Sequence, residues 1–232
     1  MKKYFIFQKF FRFFGFSLAS LLITTNAHAS SLAEPVKPSL EQHYIEQIRH
    51  INQTLIENQS EYEAKPKLLA EFVDDSVLPL WNSAKTLRGL FGKKNWLALS
   101  SENQYGLVKG FNDTIQRYVQ EGFSLYDGQQ LEFVKLKLNK KQTRGLLTIK
   151  VIPNILPEFD VNFKIALENG QWQLYDILVQ GVSYVTLKKD SFRNQYKNHG
   201  LNAVIKSIIE KNKGYVESRL AINSQEQPAS SE

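Results

Sequence analysis

Apolar residues recur along this chain with two different periods. Leu40, Tyr44, Ile48, Ile51 and Leu55 follow one another at steps of three or four, which lines one face of an amphipathic helix. A second helix opens at Pro66, carries Leu69, Phe72 and Val73 inward and ends near Pro79. The segment Leu87 to Leu99 reads as a short helix and a turn. Ser101 with Gln104 three residues on has the pattern of a capping box, and Tyr105, Val108, Phe111, Ile115, Tyr118 and Tyr126 then keep helical spacing until Asp127-Gly128 stops it.

From Leu131 the period changes to two. Leu131 to Leu138, Arg144 to Ile152, Phe159 to Leu167 and Gln171 to Val179 are four strand-like runs, separated by turn residues near Asn139-Lys140, Pro153-Asn154 and Asn169-Gly170. In the third run Phe159, Val161, Phe163, Ile165 and Leu167 alternate with Asp160, Asn162, Lys164 and Ala166, as in an antiparallel sheet with one apolar and one wet face. After Gly181 the helical period returns through Phe192 and Tyr196, breaks at Gly200, and resumes with Leu201, Val204, Ile205, Ile208 and Ile209. Helices, a four-stranded antiparallel meander, then helices make an α+β domain whose sheet is covered by a helical layer. Its expected extent is 39–215, after a flexible leader at 30–38 and before a polar tail at 216–232 that is too hydrophilic to order.

The N-terminus changes the picture of charge. Lys2, Lys3, Lys9 and Arg12 precede an apolar stretch from Phe13 to Ile23 and then Ala27-His28-Ala29, the order of a secretory signal peptide spanning 1–29. The apolar stretch is shorter than the roughly 20 residues that cross a bilayer. Removing 1–29 takes four basic residues and no acidic one, which leaves 25 Lys plus Arg against 23 Asp plus Glu. A nearly balanced chain without a dense basic block is a poor partner for nucleic acid. The absence of cysteine excludes disulfides, thiolate metal sites and cysteine nucleophiles.

Little in the sequence looks like catalysis. His43 and His50 are seven apart on a helix, about 10 Å along its axis, too far to share one metal ion. Asp74 and Asp75 point about 100° apart on a helix and read as a solvated face. Asp176 and Ser183 coexist with histidines, but no small-residue elbow frames Ser183, and no phosphate-cradling or dinucleotide motif occurs. No cofactor and no enzymatic activity are expected. Aromatic side chains abound instead, with 15 Phe, 10 Tyr and 3 Trp, several of the phenylalanines falling within 1–29.

The stretch Gln171-Trp-Gln-Leu-Tyr-Asp-Ile-Leu-Val-Gln-Gly-Val-Ser-Tyr-Val185 resembles the Trp-x-x-Tyr-Asp … Gly-Val-Ser signature of the MlaC family of periplasmic phospholipid-binding proteins, also called the toluene-tolerance family. Phe72-Val73 with Val77-Leu78-Pro79, Leu90-Phe91-Gly92, Trp96, the aromatic helix from Tyr105, and Phe192 with His199-Gly200-Leu201 follow in the family's order, over about residues 65–212. One departure is Leu80-Trp81-Asn82, where an aromatic-then-acidic pair often stands. The resemblance implies a curved sheet and a helical layer enclosing a deep apolar cleft for the tails of a phospholipid. It also implies a periplasmic shuttle between an outer-membrane lipoprotein complex and an inner-membrane ATP-driven transporter, maintaining lipid asymmetry.

On that basis the wall of the cleft is expected to comprise Leu147, Ile149 and Val151, then Val161, Phe163 and Ile165, then Ile177 and Val179. Tyr105, Phe111 and Tyr118 from the long helix, with Val182 and Tyr184 beyond the sheet, are further candidates. A periplasmic adaptor that binds only proteins, or an enzyme of similar cone-shaped fold with Asp176 deep in its pocket, are the competing readings.

Overall fold

The computed structural model describes residues 36–225, with side chains described for 40–214; the expected signal peptide lies outside the described residues. From Leu40 to Gln225 the chain packs as one compact unit. Helices α1 (Val36–Glu57), α2 (Gln59–Ala64) and α3 (Pro66–Phe72) come first. A π-helical turn over Val73–Val77 and a 3₁₀ turn over Leu78–Leu80 follow, and then α4 (Ser83–Phe91), α5 (Lys93–Leu97) and α6 (Ser101–Phe123).

Four of the five strands match the period-two runs: β1 (Gln130–Leu138), β2 (Arg144–Ile152), β3 (Phe159–Glu168) and β4 (Gln171–Val179). The fifth, β5 (Val182–Ser183), is added by a tight turn and is too short to show a period. Gln180 and Gly181 both have positive φ, 51° and 80°, the conformation of a two-residue hairpin turn matched to the twist of the strands. The sheet is an antiparallel meander in the order β1-β2-β3-β4-β5, followed by α7 (Tyr184–Gln225). Within α7, Gly200 stands at φ 75°, ψ −179°, a backbone region essentially confined to glycine, and there the helix kinks.

Three boundaries differ from those the sequence suggests. α1 starts at Val36, inside the expected leader, because Pro38 in the first turn forfeits an N–H that has no intrahelical partner there. α7 continues to Gln225, past the expected domain end at 215. The long helix is capped by Ser100 rather than Ser101: the Ser100 hydroxyl accepts from the Asn103 N–H at 3.2 Å, while the Gln104 amide donates to the Trp96 carbonyl. Two adjacent serines offer the same pattern, and only backbone geometry chooses between them.

Packing divides into three clusters. α4, α5, α6 and α7 bury Leu87, Leu90, Phe91, Leu107, Phe111 and Val204 together. α2, α3 and the end of α6 contribute Tyr62, Leu69, Phe72 and Phe123. α1 lays Leu40, Tyr44 and Ile48 on Leu136, Leu147, Ile149 and Ile165 of the sheet. The helix also holds the outer strand through one side chain: the Asn52 amide donates to the Leu131 carbonyl at 2.6 Å and accepts from the Leu131 N–H at 3.0 Å. No helix among the described residues is long and apolar enough to cross a membrane.

Candidate functional site

Strand register decides which side chains share a face. One row of directly paired residues runs across all five strands: Phe133, Ile149, Val161, Val179 and Val182. The next row joins Leu136, Leu147, Phe163 and Ile177. Leu131 pairs with Val151, and Gly145 with Ile165. Paired residues of an antiparallel sheet project to the same side, so the eight strand positions expected to wall a cleft, and Val182 of β5 with them, lie on one apolar face.

That face is occupied unevenly. α1 covers Leu136, Leu147 and Ile165, which are almost fully buried. Val161 is only 8% exposed and Val151, Ile177, Val179 and Val182 are half-buried, yet the five belong to none of the three packed clusters among the described residues. A groove of about 610 Å³ opens between α1 and β1, walled by Ile45, Ile48, Leu131 and Phe133 and rimmed by Arg49, Gln53, Glu57, Gln130 and Glu132; none of the residues expected to wall a cleft lines it. Leu131 and Phe133 head the register rows that continue into Val151, Val161 and Val179. The groove thus lies at the β1 edge of the apolar face, and its volume lies in the range of small-molecule sites.

The helical candidates fall elsewhere. Tyr105 is 72% exposed, and Tyr118 sits at the surface with Arg117 over its ring. Phe111 is buried in the helical cluster, and Tyr184 packs on it with ring centroids 6.4 Å apart. Burial raises the Tyr184 hydroxyl above the ordinary tyrosine range, with Tyr118 adding to the effect and Arg117 opposing it. A second groove, of about 360 Å³, runs between α6 and α7 past Gly106, Gly110, Ile205 and Ile209, away from the sheet.

The polar face holds Asp176, and its carboxylate is fully engaged. The Ser183 hydroxyl donates to it at 2.5 Å, the Lys164 ammonium at 2.7 Å and the Val185 N–H at 3.1 Å. Ser183 accepts from the Thr186 N–H at 3.0 Å and so caps α7. A carboxylate at a helix N-terminus is stabilised by the orphan N–H groups and the dipole. Asp176 thus ties β4 to α7, and it points away from the apolar face. Asp74, expected on a solvated face, accepts a hydrogen bond from the buried Gln116 across the π-helical turn. Among the described residues no group of His, Asp or Glu could hold a metal ion.

The departure at Leu80-Trp81-Asn82 also finds its use. The Asn82 side chain accepts from the Lys85 N–H at 2.8 Å, capping α4, and donates to Gln173 at 3.0 Å; its own N–H donates to the Leu174 carbonyl at 2.7 Å. Asn and Asp cap helices about equally well, so the acidic residue can be replaced here without losing the cap. Asn82→Ala is expected to lower stability by about 1–2 kcal/mol, as cap and cross-strand bonds go together; urea unfolding measures it.

A match to the family model described as MlaC protein covers residues 45–210 of the 232. The chain belongs to the MlaC family. A solved family-like structure, the phospholipid-binding protein from Ralstonia solanacearum in complex with a phospholipid, superposes with a TM-score of 0.57 at 17% identity, covering 70% of this chain and 94% of that one. At that identity the likeness concerns the fold.

Proposed function

We propose that this MlaC-family chain is a periplasmic carrier that holds a phospholipid with its tails against the apolar face of the sheet and its head group at the polar rim. The observation that carries the reading is the apolar face: Val151, Val161, Ile177, Val179 and Val182 share it by register outside the packed clusters, and a groove with a polar rim opens at its β1 edge. Family membership and the phospholipid in the Ralstonia solanacearum structure support it.

Free movement of a phospholipid through water is opposed by the hydration of its tails. At about 0.8 kcal/mol per CH₂, two tails amount to more than about 20 kcal/mol. A protein that offers an apolar surface of similar quality removes that barrier without any bond being made or broken, so transfer needs no catalytic group. On this reading residues 1–29 direct export and are removed after Ala29. The carrier then moves lipid between an outer-membrane lipoprotein complex and an inner-membrane ATP-driven transporter, preserving outer-membrane asymmetry.

Residues 30–232, purified from the periplasm without detergent, are expected to show discrete mass adducts in native mass spectrometry that extract into organic solvent as phospholipid. A mass that stays that of the bare chain after incubation with phospholipid vesicles would overturn the carrier reading and favour a protein-binding adaptor.

A further inference from the structure

Two buried hydroxyls among the described residues have no hydrogen-bond partner, those of Tyr44 and Tyr126. An unpaired buried hydroxyl is penalised relative to a ring of the same shape without it. Phenylalanine would therefore be the more stable residue at each place unless something accepts the proton.

The two tyrosines differ in their surroundings. Tyr126 stacks on Phe123 at 5.5 Å, in a cluster built from helices and the end of α6, with no strand residue in it. Tyr44 is 3% exposed and belongs to the cluster that α1 forms with the sheet. In that cluster it lies one helical turn before Ile48, which also walls the groove between α1 and β1, and it shares the cluster with Ile149 and Phe163. Those two are the direct register partners of Val161 and Ile177, the neighbouring residues of the same face that belong to none of the packed clusters among the described residues. Burial also holds the Tyr44 hydroxyl above the ordinary tyrosine range, which keeps it a neutral donor.

A phospholipid presents three kinds of group to such a donor. The tails have no acceptor, and the phosphate would have to shed its hydration to reach a buried hydroxyl. The acyl-ester carbonyls are neutral acceptors located where tail meets glycerol. We infer that the Tyr44 hydroxyl donates a hydrogen bond to an acyl-ester carbonyl of the bound lipid and so sets the depth to which its tails enter. The inference rests on the carrier reading, and it makes the site a reader of the ester linkage as well as of hydrocarbon.

The test offers the mature chain equimolar vesicle-borne phosphatidylglycerol in two forms, the diacyl ester and the dialkyl ether of equal chain length, and counts each bound lipid by native mass spectrometry. The wild-type chain is expected to favour the ester about tenfold, the ratio that corresponds to one hydrogen bond of about 1.4 kcal/mol. Tyr44→Phe, folded and still binding lipid, takes the two forms about equally, while Tyr126→Phe keeps the wild-type preference. Equal uptake by the wild type, or a preference that survives Tyr44→Phe, overturns the ester contact and leaves the carrier reading standing. Failure of the wild type to take up either lipid removes the carrier reading and this inference together.

Discussion

Val161→Trp is expected to empty the protein of phospholipid, by tenfold or more in adducts per chain, while its far-ultraviolet circular dichroism and cooperative unfolding persist. Val161 lies in the central strand, in the register row that spans all five strands; it is 8% exposed but outside every packed cluster among the described residues. An indole there grows into the space proposed for acyl chains. Extra volume in an already filled core instead forces neighbours off their rotamers and costs about 1–3 kcal/mol. Ala166 provides the contrast: it is 3% exposed on the opposite face, paired with Arg144 and Gln173. Ala166→Trp is expected to lose stability. If Val161→Trp loses its cooperative transition as Ala166→Trp does, the apolar face is packed shut and holds no lipid.

The second large effect belongs to the signature motif. Asp176→Ala removes the common acceptor of Ser183, Lys164 and the Val185 N–H, leaving the cap of α7 without its carboxylate. Breaking a buried charged hydrogen-bond set of this kind costs about 3 kcal/mol. With a slope of about 2 kcal/mol per molar for a chain of this size, the urea midpoint falls by about 1.5 M. Ser183→Ala deletes only the hydroxyl cap and is expected to cost about 1 kcal/mol. Lipid retained by the Asp176→Ala protein at low urea, in proportion to the folded fraction, identifies the residue as structural. A folded Asp176→Ala protein that binds no lipid would instead place the carboxylate in the site.

The motif that carries the family resemblance is thus a joint. Tyr175 offers its carbonyl to the Thr86 hydroxyl at 2.7 Å, Asp176 and Ser183 fasten the helix start, and Gly181 takes the positive φ of the turn. Trp172 packs on the α1 cluster. Asp176 and Ser183 lie on the face opposite the apolar one and attach the wall to the helices, while Trp172, Ile177, Val179 and Val182 of the same stretch belong to the wall face itself.

Strands were legible in the sequence because alternation fixes both their extent and their faces. Arg144–Ile152 and Gln171–Val179 emerge with the ends that periodicity assigns. β5 was not legible, since two residues have no period and its place depends on the Gln180-Gly181 turn. The sheet face of the candidate site followed from the same alternation. What covers that face did not: helical spacing marks Leu40, Tyr44 and Ile48 as apolar, but only the assembled fold shows them over Leu147 and Ile165 and away from Val161 and Val179. Tyr105 shows the converse. It keeps the helical period of its neighbours yet faces water, because spacing records one stripe and α6 is packed along part of it only.

The amide pairing at Leu131 bears on how the molecule behaves at high concentration. β1 closes one side of an open meander, and an unpaired strand edge is a template on which another chain can extend the sheet. Asn52 occupies one rung of that edge with both halves of its carboxamide, much as a neighbouring peptide would. The irregular register between Phe133 and Lys135 interrupts the ladder just beyond, and Lys137 adds charge. The side chain of Asn52 thereby keeps part of that edge from recruiting another copy of the chain.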